Sequence, residues 1–254
     1  MNEEYEDDCN PTPPTYAEVC SRIRGLVATL WRAQLEMHLQ AGLTPREVVQ
    51  ERFDQLQTSI KDRQLSDKLS KAESKLHGLP LGGWSESQVF ETMWRFEALV
   101  VLLWATGHFE EMPTWLETVD GQTVMAKARL VDTNDVAETD ASLRGENEIE
   151  RIRNAAEFWH WRCRTEMMRR NGVPAPPGDS YAGTVGRALE HAVKDGIVSD
   201  TVDGDVAVNG VAYANLPQDQ WANLASISIE RHYASSWLAG YAPNNDWDQT
   251  PTDT

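Results

Sequence analysis

Charged side chains stand in three stretches that should be buried. Residues 94–107, WRFEALVVLLWATG, are almost wholly apolar yet hold Arg95 and Glu97. A helix apolar all round is a buried helix, and a charge on it is costly unless it is paired or hydrogen-bonded. Arg162 stands among aromatics in Trp159-His160-Trp161-Arg162. Glu230-Arg231 interrupts the apolar pattern Trp221, Leu224, Ile227, Ala234, Leu238. Helical spacing puts Glu97 on one stripe with Phe90, Met93, Trp94, Val100, Val101 and Trp104, so it should not reach water.

Two chemistries fit these residues. Glu97 and Glu230 can neutralise Arg162 and Arg231, giving a buried salt-bridge network that fixes helix packing. Alternatively, the carboxylates and guanidinium groups converge on a pocket, giving an anion site or a general base. Arg95, Arg144 and Asp253 complete the candidate polar cluster. Trp94, Trp104, Trp159, Trp237 and Trp247 are its candidate aromatic lining. Met and Trp stripes otherwise read as core rather than as a cofactor box, and no cofactor is expected.

Other chemistry leaves no pattern. The chain has no GxxxxGK[ST], no GxGxxG after a strand, no HExxH and no GxSxG. The histidines (His38, His77, His108, His160, His191, His232) make no i, i+4 pair for a metal, and no metal site is expected. Asp203-Gly-Asp205 and Asp246-Trp-Asp248 do not extend into a calcium loop and read as turn residues and solvated charge.

The elements that must position the polar set are helices. Thr15-Tyr-Ala-Glu18 is a capping-box start, followed by the stripe Val19, Ile23, Leu26, Val27, Leu30, Trp31 and a stop at Gly42. Thr44 can cap a second helix with Pro45 at its first position and Glu47 completing the box. Val49, Phe53, Leu56 and Ile60 follow on one face. A phase change predicts a break near 61–66 and a stop at Gly78. Ser85-Glu-Ser-Gln88 opens the apolar helix, which should run to Gly107. Residues 108–120 read as loop and 121–138 as a short helix. The longest pattern spans roughly 141–170, with the stripe Ile149, Ile152, Ala156, Trp159, Cys163, Met167. Asp179 or Ser180 caps a further helix ending at Gly196, and Pro217 begins the last one, to Gly240. The single strand signal is 205–216, where Asn209-Gly210 is a preferred type I′ pair, predicting Val206–Val208 against 211–213. A lone hairpin must pack on helices to persist. The expected fold is mainly α, a multi-helix bundle or array with one small β-hairpin near 205–214. Residues 1–14 read as a disordered acidic tail and 15–254 as a single helical domain.

Forty acidic residues against 23 basic ones leave a net charge of −17. That opposes binding to a nucleic-acid backbone, which needs a basic face. It favours docking onto a basic protein partner, whose encounter the field would speed, although solubility alone accounts for the same charge. Only six of the basic residues are Lys, a skew that fits a GC-rich genome or a salty cytoplasm equally. No apolar stretch is long enough to span a membrane, and the start, MNEEYEDDCNPTPP, is the opposite of a signal peptide. Cys9, Cys20 and Cys163 keep no metal or disulfide spacing and fit a reducing compartment, so a cytoplasmic protein is expected. The pattern specifies no oligomeric state.

The same blocks carry a resemblance. Trp94-Arg95 with Glu97-Ala98-Leu99, Leu102-Leu103-Trp104-Ala105-Thr106-Gly107, Leu143-Arg144 with Glu148-Ile149, and 159–164 resemble family 4272 of domains of unknown function. Glu230-Arg231-His232-Tyr233-Ala234, Trp237-Leu238, Trp247-Asp248 and Asp253-Thr254 continue it. It runs from about residue 46 to the end, with no counterpart for the acidic tail or the first helix. It implies a mainly helical bacterial protein and no activity. Two functions remain in view: a binding or regulatory protein that neutralises a basic partner, as immunity proteins and antitoxins do, and an enzyme or small-anion binder on the Glu/Arg set. A pocket reaching the charged cluster would favour the second; a sealed cluster with an acidic or apolar patch elsewhere would favour the first. The segment 246–254 is expected to pack back on the core with Trp247 buried, its Asp253 meeting Arg95, Arg144, Arg162 or Arg231.

Overall fold

In the computed structural model, residues 11–133 and 142–252 are described. The fold is mainly α with one small antiparallel sheet. Helices α1 (Tyr16–Gln40), α2 (Arg46–Asp62), α3 (Lys71–His77), α4 (Glu86–Met93) and α5 (Arg95–Ala105) come first. They are followed by α6 (Gly121–Thr133), α7 (Glu146–Arg170) and α8 (Tyr181–Lys194). Strands β1 (Thr201–Val202), β2 (Asp205–Val208) and β3 (Val211–Ala212) then precede α9 (Gln218–Leu238).

Helix α5 is the centre. From Phe96 to Ala105 every residue is buried. It is wrapped by α1, α6 and α9; α2–α4 lie on the outer side of α1, and α7, α8 and the sheet continue beyond α9. The core cluster around α5 joins Val19, Ile23, Leu26 and Leu30 of α1 to Ala234, Trp237 and Leu238 of α9. A second cluster, around Trp159, Leu189, Val206, Val208 and Ile227, holds the sheet against α7, α8 and α9.

Caps set most helix starts. Thr15, Ser70 and Ser85 each close a capping box with Glu18, Glu73 and Gln88, and Ser180 caps α8 through Gly183 N. Thr44 does not cap α2. Its hydroxyl meets His38 Nδ1 at 2.9 Å, and Pro45 stands at the cap position without a side-chain bond. The apolar helix expected from Ser85 to Gly107 is two helices, α4 and α5, divided at Trp94; Glu97 N bonds Trp94 O at 2.9 Å in the tight turn between them. The break changes the phase, so Phe90 lies 64% exposed rather than on the buried stripe. The long helix begins at Glu146, because extended Gly145 gives up its N–H to the Glu148 carboxylate. Met167, near its end, is exposed.

The hairpin forms at Asn209-Gly210, both at positive φ, with Val208 opposite Val211 and Ala207 opposite Ala212. Tyr213 lies beyond β3, in a short 3-10 turn. A third strand is present: Asp203-Gly204, also at positive φ, turns β1 onto β2. Residues 11–14, read as the end of a tail, are tied down. Thr12 N donates to Gly240 O at 3.1 Å and Pro14 is buried. The C-terminal segment packs back as expected, with Trp247 6% exposed between Tyr233 and Trp237.

Candidate functional site

The polar set divides into separate ion pairs. Arg95 and Glu97 open α5 and face Glu230 and Arg231 of α9. Arg231 Nε donates to Glu97 Oε2 at 2.9 Å, and Nη2 makes the second contact at 2.7 Å. Nη1 donates to the carbonyls of Pro113 (2.9 Å) and Thr114 (2.8 Å), and Nη2 also to Glu117 O at 3.4 Å. Glu97 Oε1 accepts from Val119 N at 2.8 Å. The guanidinium group thus makes five contacts on four acceptor oxygens. With Glu97 2% and Arg231 0% exposed, the pair is sealed and pins the 113–119 loop onto the two helices. Burial lowers the Arg231 pKa against the charge of Glu97. Beside it Arg95 Nη1 donates to Glu230 Oε2 at 3.0 Å. Burial raises the Glu230 carboxyl, opposed by Arg95 and assisted by the neighbouring Glu97 charge.

Arg162 does not join this group. Its Nε and Nη2 bind Asp205 Oδ1 and Oδ2 at 2.8 and 2.5 Å, and Asp205 also accepts from Val206 N and Ala214 N. Asp205, read as a solvated turn residue, is 5% exposed and anchors the sheet to α7. Four residues on from Arg162, Glu166 holds Arg169 and Arg170, whose other donors reach the carbonyls of Ala214 and Leu216. Burial works to raise both carboxyls, but the guanidinium groups outweigh it and hold Glu166 and Asp205 below the usual range. Arg144 lies at the far end of α5, donating to the carbonyls of Trp104, Phe109 and Glu110. Asp253 lies outside the described residues.

The candidate tryptophans do not line one cavity. Trp104, Trp237 and Trp247 belong to the α5 core, with the Arg144 guanidinium 5.0 Å from the Trp104 ring centre. Trp159 is in the second cluster, stacked on Trp115, and Trp94 sits half-buried at the α4–α5 turn.

Three buried groups escaped the sequence reading. Arg32 and Glu36 of α1, both 0% exposed, pair with each other and bind the backbone of Leu79, Pro80 and Gly82. The i, i+4 spacing inside an apolar stripe was a usable signal. Arg22 pairs with Glu73 of α3, which no local pattern announces. His160 and His232 meet through their Nδ1 atoms at 2.9 Å, joining α7 to α9.

That contact requires one ring to donate and the other to accept, so the two rings cannot both be protonated. Burial, with charge from His232 and Arg164 on His160 and from Arg153 on His232, lowers each pKa to about 4; burial does the same for His77. The unfolded chain, with His near its ordinary value, binds more protons between about pH 6.5 and 4. Stability is therefore full above that window and falls as pH drops through it. Unfolding free energies from urea titrations at pH 7 and pH 6 should differ by about 2 kcal/mol, with up to about 1.4 kcal/mol per pH unit from each of the three groups. A flat profile through the window is inconsistent with neutral buried rings.

A cleft of about 240 Å³ between α7, α8 and the sheet reaches Arg162, whose Nη1 has no hydrogen-bond partner. Its charged lining is Arg162 and Arg169 against Glu166, Asp203 and Asp205. The exposed face of α2 is of another kind. Glu47, Glu51, Asp54 and Asp62 recur at helical spacing on its outer side, where Lys61 is also exposed, with exposed Arg46 and Arg52 flanking them. Leu43, just before the helix, is 67% exposed and Val48 is 37% exposed.

A mainly helical, acidic protein with its buried charges locked in ion pairs is the class these features define. The family model for the domain of unknown function DUF4272 matches residues 4–194, and the chain belongs to that family. The match takes in α1, for which the resemblance offered no counterpart, and stops before α9 and the Trp247 block. No curated protein and no solved structure matches the chain.

Proposed function

We propose that this chain is a cytoplasmic binding or regulatory protein that docks a basic protein partner and neutralises it, in the manner of an immunity protein or antitoxin. The observation that carries this reading is the outer face of α2, with four exposed carboxylates beside exposed Leu43 and Val48. Apolar anchors give an interface its affinity, and the surrounding charge gives it partner choice and speed. The saturated Glu97–Arg231 pair supports a structural rather than catalytic role for the polar core, since no donor of that guanidinium is left for a substrate. Buried, unpaired Cys20 and Cys163 fit a reducing compartment. Among the described residues no helix is long and apolar enough to cross a membrane.

The test is affinity capture from the native cell with wild type and the Glu47→Gln/Glu51→Gln/Asp54→Gln variant in parallel. A basic polypeptide retained by wild type and lost by the variant supports the reading. Equal capture by both, or capture of acidic proteins only, overturns it.

The alternative, an enzyme or small-anion binder on the buried Glu/Arg set, is favoured by one feature, the cleft at Arg162. Its three carboxylates against two guanidinium groups oppose an anion there, which leaves the docking reading the stronger.

A further inference from the structure

The cleft between α7, α8 and the sheet has hydrogen-bonding capacity left over in its wall. Arg162 and Glu166 line it, and both are 1% exposed. Asp205 is filled: Oδ1 accepts from Arg162 Nε and Val206 N, and Oδ2 from Arg162 Nη2 and Ala214 N. Glu166 Oε1 is filled as well, by Arg169 Nη2 at 2.6 Å and Arg170 Nε at 2.7 Å. Glu166 Oε2 accepts one bond, from Arg169 Nε at 3.0 Å, and keeps a lone pair. Arg162 Nη1 has no hydrogen-bond acceptor among the described residues and stands 3.6 Å from that same Oε2. At this separation the two attract as charges but are not hydrogen-bonded. A buried donor and a buried acceptor thus stand side by side, each with a place open.

One kind of group satisfies both. A hydroxyl accepts from Arg162 Nη1 and donates its proton to Glu166 Oε2. A carboxylate can only accept, and it would meet the charges of Glu166 and Asp205. An ammonium can only donate, and it would meet the Arg162 guanidinium. A single water makes the same two bonds but takes about 30 Å³, in a cleft of about 240 Å³. Val185 and Ala212 add apolar wall, and exposed Asp203 and Asn215 border the same cleft. We infer that the cleft binds a small neutral polyol of monosaccharide size, with one hydroxyl held between Arg162 Nη1 and Glu166 Oε2. Its further hydroxyls meet Asp203 and Asn215, and its C–H faces lie on Val185 and Ala212. The volume is below the range of about 300–1,000 Å³ for pockets that take drug-sized ligands, which suits one small ring. The inference does not rest on the docking reading, since the described residues that line the cleft come from α7, α8 and the segment 203–215.

The test is calorimetric titration of the full chain with D-glucose, D-galactose, D-mannose and myo-inositol, and with D-glucuronate as the anionic counterpart. At least one of the four neutral compounds is expected to bind, and D-glucuronate at least about tenfold more weakly than the best of them. Arg162→Gln should abolish binding, but it also breaks the anchor to Asp205 and can cost the fold. Two exposed positions therefore carry the comparison. Ala182→Trp sets a large ring against the cleft and should abolish binding. Asp203→Gly keeps a residue suited to the positive φ there and should weaken binding at least about fivefold. Both should melt with wild type. Absence of binding by all four neutral compounds, D-glucuronate binding as tightly as the best of them, or unchanged affinity in either exposed variant overturns the inference.

Discussion

Replacing Glu97 by alanine is expected to cost about 3–5 kcal/mol. The magnitude follows from what is left behind. Arg231 is 0% exposed, so its guanidinium would stay buried with only the carbonyls of Pro113, Thr114 and Glu117 for company. Val119 N would lose its acceptor as well. Removing both charges, in Glu97→Met/Arg231→Met, should cost less than the sum of the single changes, because replacing a buried pair by apolar groups of similar volume is far cheaper than orphaning one member. Urea unfolding of the three variants checks this. A Glu97→Ala chain within about 1 kcal/mol of wild type would mean the pair contributes no more than a surface ion pair.

The second large effect is at the C-terminus. Trp247→Ala should cost about 3–5 kcal/mol, the range for deleting a large buried aromatic. Trp247 lies edge-on to both Tyr233 and Trp237, with the Arg22 guanidinium 4.9 Å from its ring centre. Its carbonyl accepts the Tyr233 and Thr250 hydroxyls. Truncation after Ala242 removes these contacts together and should lower the melting temperature at least as far. A truncated chain that melts with wild type would show the terminal segment to be dispensable.

Much of the fold was legible because it rests on local chemistry. Thr15 and Ser85 mark their helices by hydroxyls three residues ahead of Glu18 and Gln88, and Asn209-Gly210 supplies two left-handed residues in a row. The misreadings have physical causes. Thr44 is the right residue type for a cap, but a hydroxyl makes its bond with the partner tertiary structure supplies, here His38. The break at Trp94 has no Gly or Pro to announce it. Aromatic neighbours pointed to Arg162, and helix phase placed Glu97 and Arg231 on buried stripes, since burial is a property of one helix face. It could not assign partners, since pairing depends on which helices face each other. Arg162 therefore meets Asp205, 43 residues away, instead of Glu97 or Glu230. Asp205 was passed over because Asp-Gly-Asp is usually a solvated turn; Asp203 is one, while Asp205 begins a strand whose first residue points at α7.

In the proposed reading, buried charge builds the scaffold while exposed charge on α2 meets a basic partner. Its most direct measurement is the association rate of the captured polypeptide with wild type and with the Glu47→Gln/Glu51→Gln/Asp54→Gln variant, at low and at physiological salt. Electrostatic steering should make the wild-type rate fall by about tenfold or more across that range and leave the variant slow and nearly flat. Superimposable salt profiles for the two chains would contradict the account.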